Sequence, residues 1–562
     1  DFVVLSEDSV AGKVELPRPI RVLDQWVYHS RLYKAAEFSG RNDDVEVIQL
    51  NSFGCGLDAV TTDQVEEILE QHNKLYTVLK IDEVSNLGAA KIRVRSLKAA
   101  VEERDRMGTK PVPEAKPFER RVFTKEMKKD YTILIPQMSP IHFNYLKEVI
   151  KAAGYNAVLL PSVDTNAVDE GLKYVNNDAC YPTIVTLGQM ISALKSGQFD
   201  LNRTAVFMSQ TGGGCRASNY VSLLRKALKD MNMEQVPVVS FNTVGLEKNP
   251  GFKIGAKMAL QLAVGAIYGD LAMRLLYATR PYELCPGESQ ALLDSWYDRI
   301  VENTINLSRK QFKQNVSEMV AEFDRIPRKN IRKPKVGVVG EILVKYHPNA
   351  NNDIVGVIES EGGEAVVLDF VDFFLYGFYN KKFNYEHLSG TWSQMEVNEK
   401  LIQGVEWLRK PMREALRASE HFEEPSFIRD TAHAAEEILS IGNQCGEGWL
   451  LTGEMVELIR HGVDNIVTLQ PFGCLPNHVV AKGMMKRVRK LNPKANIAAI
   501  DFDPGASNVN QLNRIKLMMS TARNNLEEMM TPAETAAFEN EYRACQENYV
   551  PLSERESASA YA

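Results

Sequence analysis

Hydrophobic positions along this chain follow two alternating patterns. Short runs rich in Val, Ile and Leu occur at 45–50, 75–81, 131–135, 157–160, 204–208, 236–241, 335–339, 365–370, 465–469 and 496–500. Between most of them lie longer stretches whose apolar residues recur at helical spacing. Strand-length runs alternating with helices predict parallel sheets joined by crossover helices, an α/β fold. In such sheets the functional loops sit at the carboxyl ends of the strands. The most apolar stretch, 258–277, is broken by Gln261, Asp270 and Arg274, which predicts a buried core helix rather than a membrane span. The charged, proline-containing stretches 102–129 and 325–335 read as solvated linkers, and the aromatic, charged segment 373–425 as a mainly helical insertion. This gives three lobes: 1–129, 130–330, and 331–562 with the insertion and a helical tail that frays after Pro551.

The pattern also repeats internally. Asn51-Ser-Phe-Gly-Cys55 and Gln470-Pro-Phe-Gly-Cys474 each follow an apolar strand. In both, a helical stretch and a second strand lead to an acid 27 residues after the cysteine, Asp82 and Asp501, and Arg95 and Arg514 share a spacing of 40. A second repeat pairs Cys180, followed by Gly188-Gln189-Met190, with Cys445, followed by Gly453-Glu454-Met455 at the same distance. Gly197 and Gly462 lie 17 residues after their cysteines, where each helix is expected to end. Each helix then leads to a strand that delivers another loop cysteine, Cys215 or Cys474. The repeated acids read as structural caps.

Composition adds bounds. At 562 residues the chain needs several cores. A net charge of −7 argues against a nucleic-acid surface, and no secretory pattern is present, so a cytoplasmic setting without a membrane span is expected. The chain begins at Asp1, so it is read as processed or as part of a longer polypeptide.

Six of the seven cysteines sit in glycine- or proline-containing loops: Cys55, Cys180, Cys215, Cys285, Cys445 and Cys474. Glycine permits tight loops and close backbone approach, and thiolate-bound clusters use nearby N–H donors. Cys180 and Cys445 are expected at helix N-termini, where the helix dipole stabilises thiolate. Structural zinc takes four ligands, often as closely spaced Cys pairs, and no such pair exists; nor does a Cys-x-x-Cys redox motif. From spacing, an iron–sulfur site and scattered core cysteines remain the two readings. Cys545, in a charged helical stretch, is read as a non-ligand. Near the candidate ligands, His478, Arg216 and Glu447 are candidate site residues: a proton donor, a charge-offsetting or anion-binding group, and a carboxylate at a helix start. Glu288 and His142 are weaker candidates.

Asn-Asp-Ala-Cys180-Tyr-Pro, Gln-Thr-Gly-Gly-Gly-Cys215-Arg-Ala-Ser-Asn, Gly-Glu-Ile-Leu-Val-Lys345-Tyr and Leu-Gln-Pro-Phe-Gly-Cys474-Leu-Pro-Asn-His478 resemble the 2-hydroxyacyl-CoA dehydratase / benzoyl-CoA reductase superfamily. The nearest likeness is to its double-cubane cluster proteins and the large acyl-CoA dehydratase activase-related proteins. The resemblance implies repeated Rossmann- or flavodoxin-like lobes around an interlobe iron–sulfur cluster. It implies a double-cubane cluster on all six cysteines, three per cubane, or in the dehydratase-type alternative a single 4Fe-4S cubane on three. It further implies ATP-coupled reduction of a small molecule, with an ATP-dependent activator, separate or fused, and a low-potential donor such as ferredoxin or flavodoxin. A dehydratase or reductase acting on acyl-CoA, and a non-catalytic electron-transfer or scaffold subunit, are the alternatives. No nucleotide-binding P-loop is present in the sequence. A homodimer is the expected assembly.

Overall fold

The computed structural model describes residues 2–24, 26–52, 58–81, 87–108, 118–164, 166–176, 178–211, 213–241 and 247–551. Cys55 and Asp82, members of the first repeat, lie outside the described residues. Among those described there are ten strands: β1 (Val47–Ser52), β2 (Tyr76–Ile81), β3 (Thr132–Ile135), β4 (Asn156–Leu159), β5 (Thr204–Ser209), β6 (Val238–Phe241), β7 (Lys335–Gly340), β8 (Glu364–Val367), β9 (Asn465–Pro471) and β10 (Asn496–Phe502). Each falls on one of the ten apolar runs. The pairings within each unit below are parallel. The chain is therefore α/β, as its alternation predicts.

By contact density the chain divides into two compact units. One comprises Asp1–Phe123 and Ala167–Pro250, the other Thr124–Asn166 and Gly251–Ala562. This grouping is discontinuous, whereas the three lobes read from the sequence are consecutive stretches.

The first unit contains the pairs β1–β2 and β5–β6. A core of Leu16, Tyr33, Val60 and Leu69 lies beneath the amino-terminal helices. The second unit contains β3–β4 and a four-stranded sheet in the order β10-β9-β7-β8. From β7 the chain first adds β8 on one side and later β9 on the other. Strand order thus reverses between β7 and β9, which opens a crevice outside their carboxyl ends. Every residue of β9 after Asn465 is buried, consistent with an apolar strand covered on both faces.

The apolar stretch around Asp270 forms the helix Ala256–Thr279, packed in a core with Trp296, Phe323, Leu375 and Trp449. By length and composition the segment 256–282 is apolar enough to cross a membrane, but 72% of its most apolar window is buried within the protein. The insertion is helical, formed by Val371–His387 and Trp392–Arg417, the latter started by a Thr391/Gln394 capping box. The stretch 325–335 departs from its reading as a solvated linker. Ile326 and Lys333 are buried, and Arg328 donates to the Ala278 carbonyl. Its charges find partners, Lys333 on Glu541 for one, so the segment packs instead of spanning solvent.

Candidate functional site

Both arms of the Cys180/Cys445 repeat are built alike, each within its own unit. Cys180 is the N-cap of the helix Tyr181–Lys195. Cys445 precedes the helix Trp449–Arg460, entered through Gly446 and Gly448, both at positive φ (59° and 50°). At Gly448 a side chain would meet the Asn443 carbonyl at 2.2 Å, so only glycine fits that turn. Gly188 and Gly453 serve the same purpose. A Cβ on Gly188 would lie 1.7 Å from the Ala167 carbonyl oxygen, and one on Gly453 2.5 Å from that of Thr431. Each cysteine-led helix thus lies against the preceding helix at its glycine. Gly197 and Gly462 terminate the two helices at positive φ (75° and 77°). In the second helix the Val463 N–H bonds to the Leu458 carbonyl, a Schellman closure.

Each repeat then supplies its second cysteine at the carboxyl end of a strand. Cys215 follows β5 and N-caps a 3-10 turn, Arg216–Asn219; Cys474 follows β9 and N-caps the helix Leu475–Val480. In the first unit Arg216 is buried and its guanidinium donates to the Asp178 carbonyl at 3.3 Å, which ties the Cys215 loop to the Cys180 loop. The Cys180 thiol lies 2.9 Å from the Thr183 hydroxyl and 3.0 Å from that of Tyr220.

In the second unit the Cys445 and Cys474 loops touch: a Cβ on Gly446 would lie 3.3 Å from the Pro476 ring. Glu447 fastens them. Its Oε1 accepts the Ile342 N–H at 3.0 Å, just beyond β7, and its Oε2 accepts from Asn477 Nδ2 at 3.3 Å. The same Nδ2 lies 3.3 Å from Cys474 Sγ. Glu447 thus joins the β7 and β9 loops at the strand-order reversal. Burial raises its carboxyl above the ordinary range, against the bonds from Ile342 and Asn477.

Behind Glu447 is a cavity of about 10 Å3, room for roughly one water, lined by Lys345, Tyr346, Asp369, Phe373, Glu447 and Glu454 among others. Lys345 donates to Glu454 Oε1 at 2.8 Å with both side chains buried, while Glu454 Oε2 has no hydrogen-bond partner among the described residues. Burial raises Glu454 as well, the Lys345 ammonium only partly opposing it. Asp369 continues the network. Burial would raise it, but Arg274 and Arg409 prevail and hold it below its usual value.

The other candidates separate. His478 is half-buried on the Cys474 helix, its imidazole pKa lowered by burial and by Lys482. Asp501 accepts from Gln470 and Lys482. His142 is wholly buried between Ser139 and Asp270, at 2.7 and 2.9 Å. That Ser–His–Asp chain resembles a hydrolytic triad. Asp270 also caps the backbone N–H groups of Phe370 and Val371, however, so it pins helices together within the core. Cys545 lies on the helix Pro532–Asn548, 3.6 Å from Lys333 Nζ.

Cys285 is exposed, and the structure does not bring it to Cys445 and Cys474. Its loop is fixed by Leu284 N–H to the Pro327 carbonyl and by the Tyr282 hydroxyl to Glu364, the first residue of β8. It therefore lies at the amino ends of β7 and β8, on the edge opposite Cys474. A strand of the length of β7 spans on the order of 20 Å.

Lys345, Glu454 and Asn477 complete the site, yet sequence reasoning gave none of them a site role. All three lie in the quoted motifs, but nothing in one dimension pairs Lys345 with a glutamate 109 residues on. Among the described residues no three His, Cys, Asp or Glu side chains are gathered as a metal site requires. The donor chemistry nonetheless suits a thiolate-bound group, with N–H or O–H donors at Cys180 and Cys474 and three of the cysteines capping helices. No family model and no curated protein matches this sequence.

Proposed function

We propose that this chain holds an iron–sulfur cluster through its loop cysteines and reduces a small molecule at low potential. The observation that carries the reading is the repeat. In each unit one helix-leading cysteine and one strand-end cysteine are brought to adjoining loops, Cys180 with Cys215 and Cys445 with Cys474. A core cysteine requires neither a helix N-terminus nor a polar donor to its sulfur. Bound there, an iron–sulfur cluster would supply one-electron chemistry at a potential set by its ligands and their hydrogen bonds. Asn477 would donate its amide N–H to the Cys474 sulfur, Glu447 would fix both loops, and Arg216 would hold the Cys215 loop.

The full six-cysteine, double-cubane reading adds Cys55 and Cys285. The place of Cys285 on the opposite sheet edge from Cys445 and Cys474 favours, as second reading, a smaller ligand set and the single 4Fe-4S cubane of a dehydratase- or reductase-type subunit. ATP-coupled electron injection by a partner or fused activator, and a homodimer, remain part of the proposal.

The test is iron and acid-labile sulfide per chain on protein purified without air, with electron paramagnetic resonance of the reduced form. About eight irons support the double cubane, and about four the single cubane. Absence of iron in protein never exposed to air returns the cysteines to the core.

A further inference from the structure

An electron entering a buried site raises the proton affinity of the groups around it. The cavity behind Glu447 holds a group suited to respond. Gly340, the last residue of β7, forms part of its wall, so it lies at the strand-order reversal. The charges around it are unevenly matched. Asp369 is met by two guanidiniums, those of Arg274 and Arg409, the second of which also serves Asp372. Glu447 and Glu454 have one bonded cation between them among the described residues, Lys345, which is spent on Glu454 Oε1. Tyr346 donates its hydroxyl to the Leu368 carbonyl at 2.7 Å, and burial holds its pKa well above the ordinary value, so it stays neutral. A buried ion pair is ordinarily closed, with its remaining lone pairs met. Here the Glu454 side chain is 4% exposed, its Oε2 has no partner among the described residues, and a space for one water adjoins it. From Glu447 the contacts continue to the cysteine loop: Glu447 Oε2 to Asn477 Nδ2, and Asn477 Nδ2 to Cys474 Sγ, each 3.3 Å.

We propose that Lys345, Glu454 and one water held in this cavity form the proton-accepting site of the reduction, with Glu454 Oε2 taking up one solvent proton for each electron that enters the site held by the Cys445 and Cys474 loops. The carboxylate becomes a carboxylic acid, and the added negative charge is offset by the added proton. The water would donate to Glu454 and Glu447 and accept from Lys345, an ammonium with three N–H groups. Burial already holds Glu454 above the ordinary carboxylate range, so a nearby electron needs to shift it little further. Asp369 is kept ionised by its two arginines. Asp372, pushed up to about 7 by burial against Arg409, is the other acid of the network able to titrate near neutral pH. The proposal rests on the iron–sulfur reading.

The experiment is a potentiometric titration of the full chain, purified without air and followed by electron paramagnetic resonance, at a series of pH values around neutral. A reduced form that binds a proton is favoured at low pH, so the wild-type midpoint potential should fall as pH rises, by up to about 59 mV per unit. K345M/E454Q replaces the ion pair with neutral side chains of similar size, a change that buried pairs tolerate, and should make the potential independent of pH. E454Q alone, which leaves the Lys345 ammonium without a carboxylate, should be equally flat and lie at higher potential. In the infrared difference spectrum, reduction of wild type should add a carboxylic-acid C=O band that both variants lack. Iron content equal to wild type certifies that each variant keeps its site. A wild-type potential indifferent to pH, or a slope that survives in K345M/E454Q, would overturn the proposal; a slope lost in E447Q or D372N but kept in K345M/E454Q would place the proton on that acid instead. Iron with a pH-independent potential sinks the proton site alone, whereas protein that holds no iron when purified without air sinks the cluster reading and the proton site with it.

Discussion

Gly188 and Gly453 give the sharpest test of the repeated architecture. In a solvent-exposed helix, glycine to alanine gains up to about 1 kcal/mol from backbone entropy. At Gly188 the new Cβ would meet the Ala167 carbonyl oxygen at 1.7 Å, the Ala167 carbonyl carbon at 2.6 Å and the Gly171 nitrogen at 3.0 Å. Carbon–oxygen contacts do not close below about 3.3 Å, so the helices must part by roughly 1.5 Å. That helix is buried on nearly every side. Overpacking of this kind costs about 1–3 kcal/mol, and here the obstacle is backbone that no rotamer change can relieve. G188A is therefore expected to destabilise by about 2–4 kcal/mol net of the propensity gain. G453A, with its nearest oxygen at 2.5 Å, should cost less, about 1–2 kcal/mol. Gly404, in the exposed middle of the helix Trp392–Arg417 with nothing within 4 Å, supplies the control: G404A should stabilise by roughly 0.5–1 kcal/mol. Urea unfolding followed by circular dichroism reads all three. A neutral or stabilising G188A, or a G404A as damaging as G188A, would refute the close-packed repeat.

Other outcomes follow from the same contacts. Lys345→Met leaves Glu454 buried without its cation and should cost about 3–5 kcal/mol near neutral pH. Glu454 already has a folded pKa above 4.5, and losing Lys345 raises it further. A raised carboxyl is fully accommodated below its unfolded value and loses stability as pH rises through the folded one, so the variant's deficit in thermal unfolding should shrink between neutral pH and pH 5. A pH-independent deficit would contradict that assignment. His347 is buried neutral, its pKa pushed down to about 3 by burial. A depressed imidazole loses its stabilising contribution as pH falls below about 6.5, so H347N, once corrected for its own stability at pH 8, should flatten the acid side of the stability curve. Glu447→Ala removes the acceptor for both Ile342 N–H and Asn477 and should cost about 1–3 kcal/mol, measured by urea unfolding of iron-free protein; an unchanged midpoint would mean the two loops are not held by it. Cys285→Ser should leave iron content unchanged if the smaller ligand set is correct and lower it if Cys285 is a ligand.

Ten strands, the long core helix and the helical character of the insertion were legible because each is a local period in the sequence. Repeated glycines also announced the ends of the two cysteine-led helices, since a positive φ leaves few other residues. The linker reading of 325–335 failed for a physical reason: charge density alone does not show that Lys333 meets Glu541 across 208 residues.

The sequence by itself determined the α/β class, the repeated cysteine-bearing units and the glycines Gly197 and Gly462 that end the two cysteine-led helices, because these depend on contacts between near neighbours or on one residue's own dihedral angles. Tertiary structure alone decided which groups meet. It joined Glu447 to Ile342 and Asn477, paired Lys345 with Glu454, placed Cys285 on the far edge of the sheet from Cys474, and turned His142 into a core anchor of Asp270. Those outcomes follow from strand order: the reversal between β7 and β9 selects which loops share a crevice, and no local pattern in the chain encodes that order.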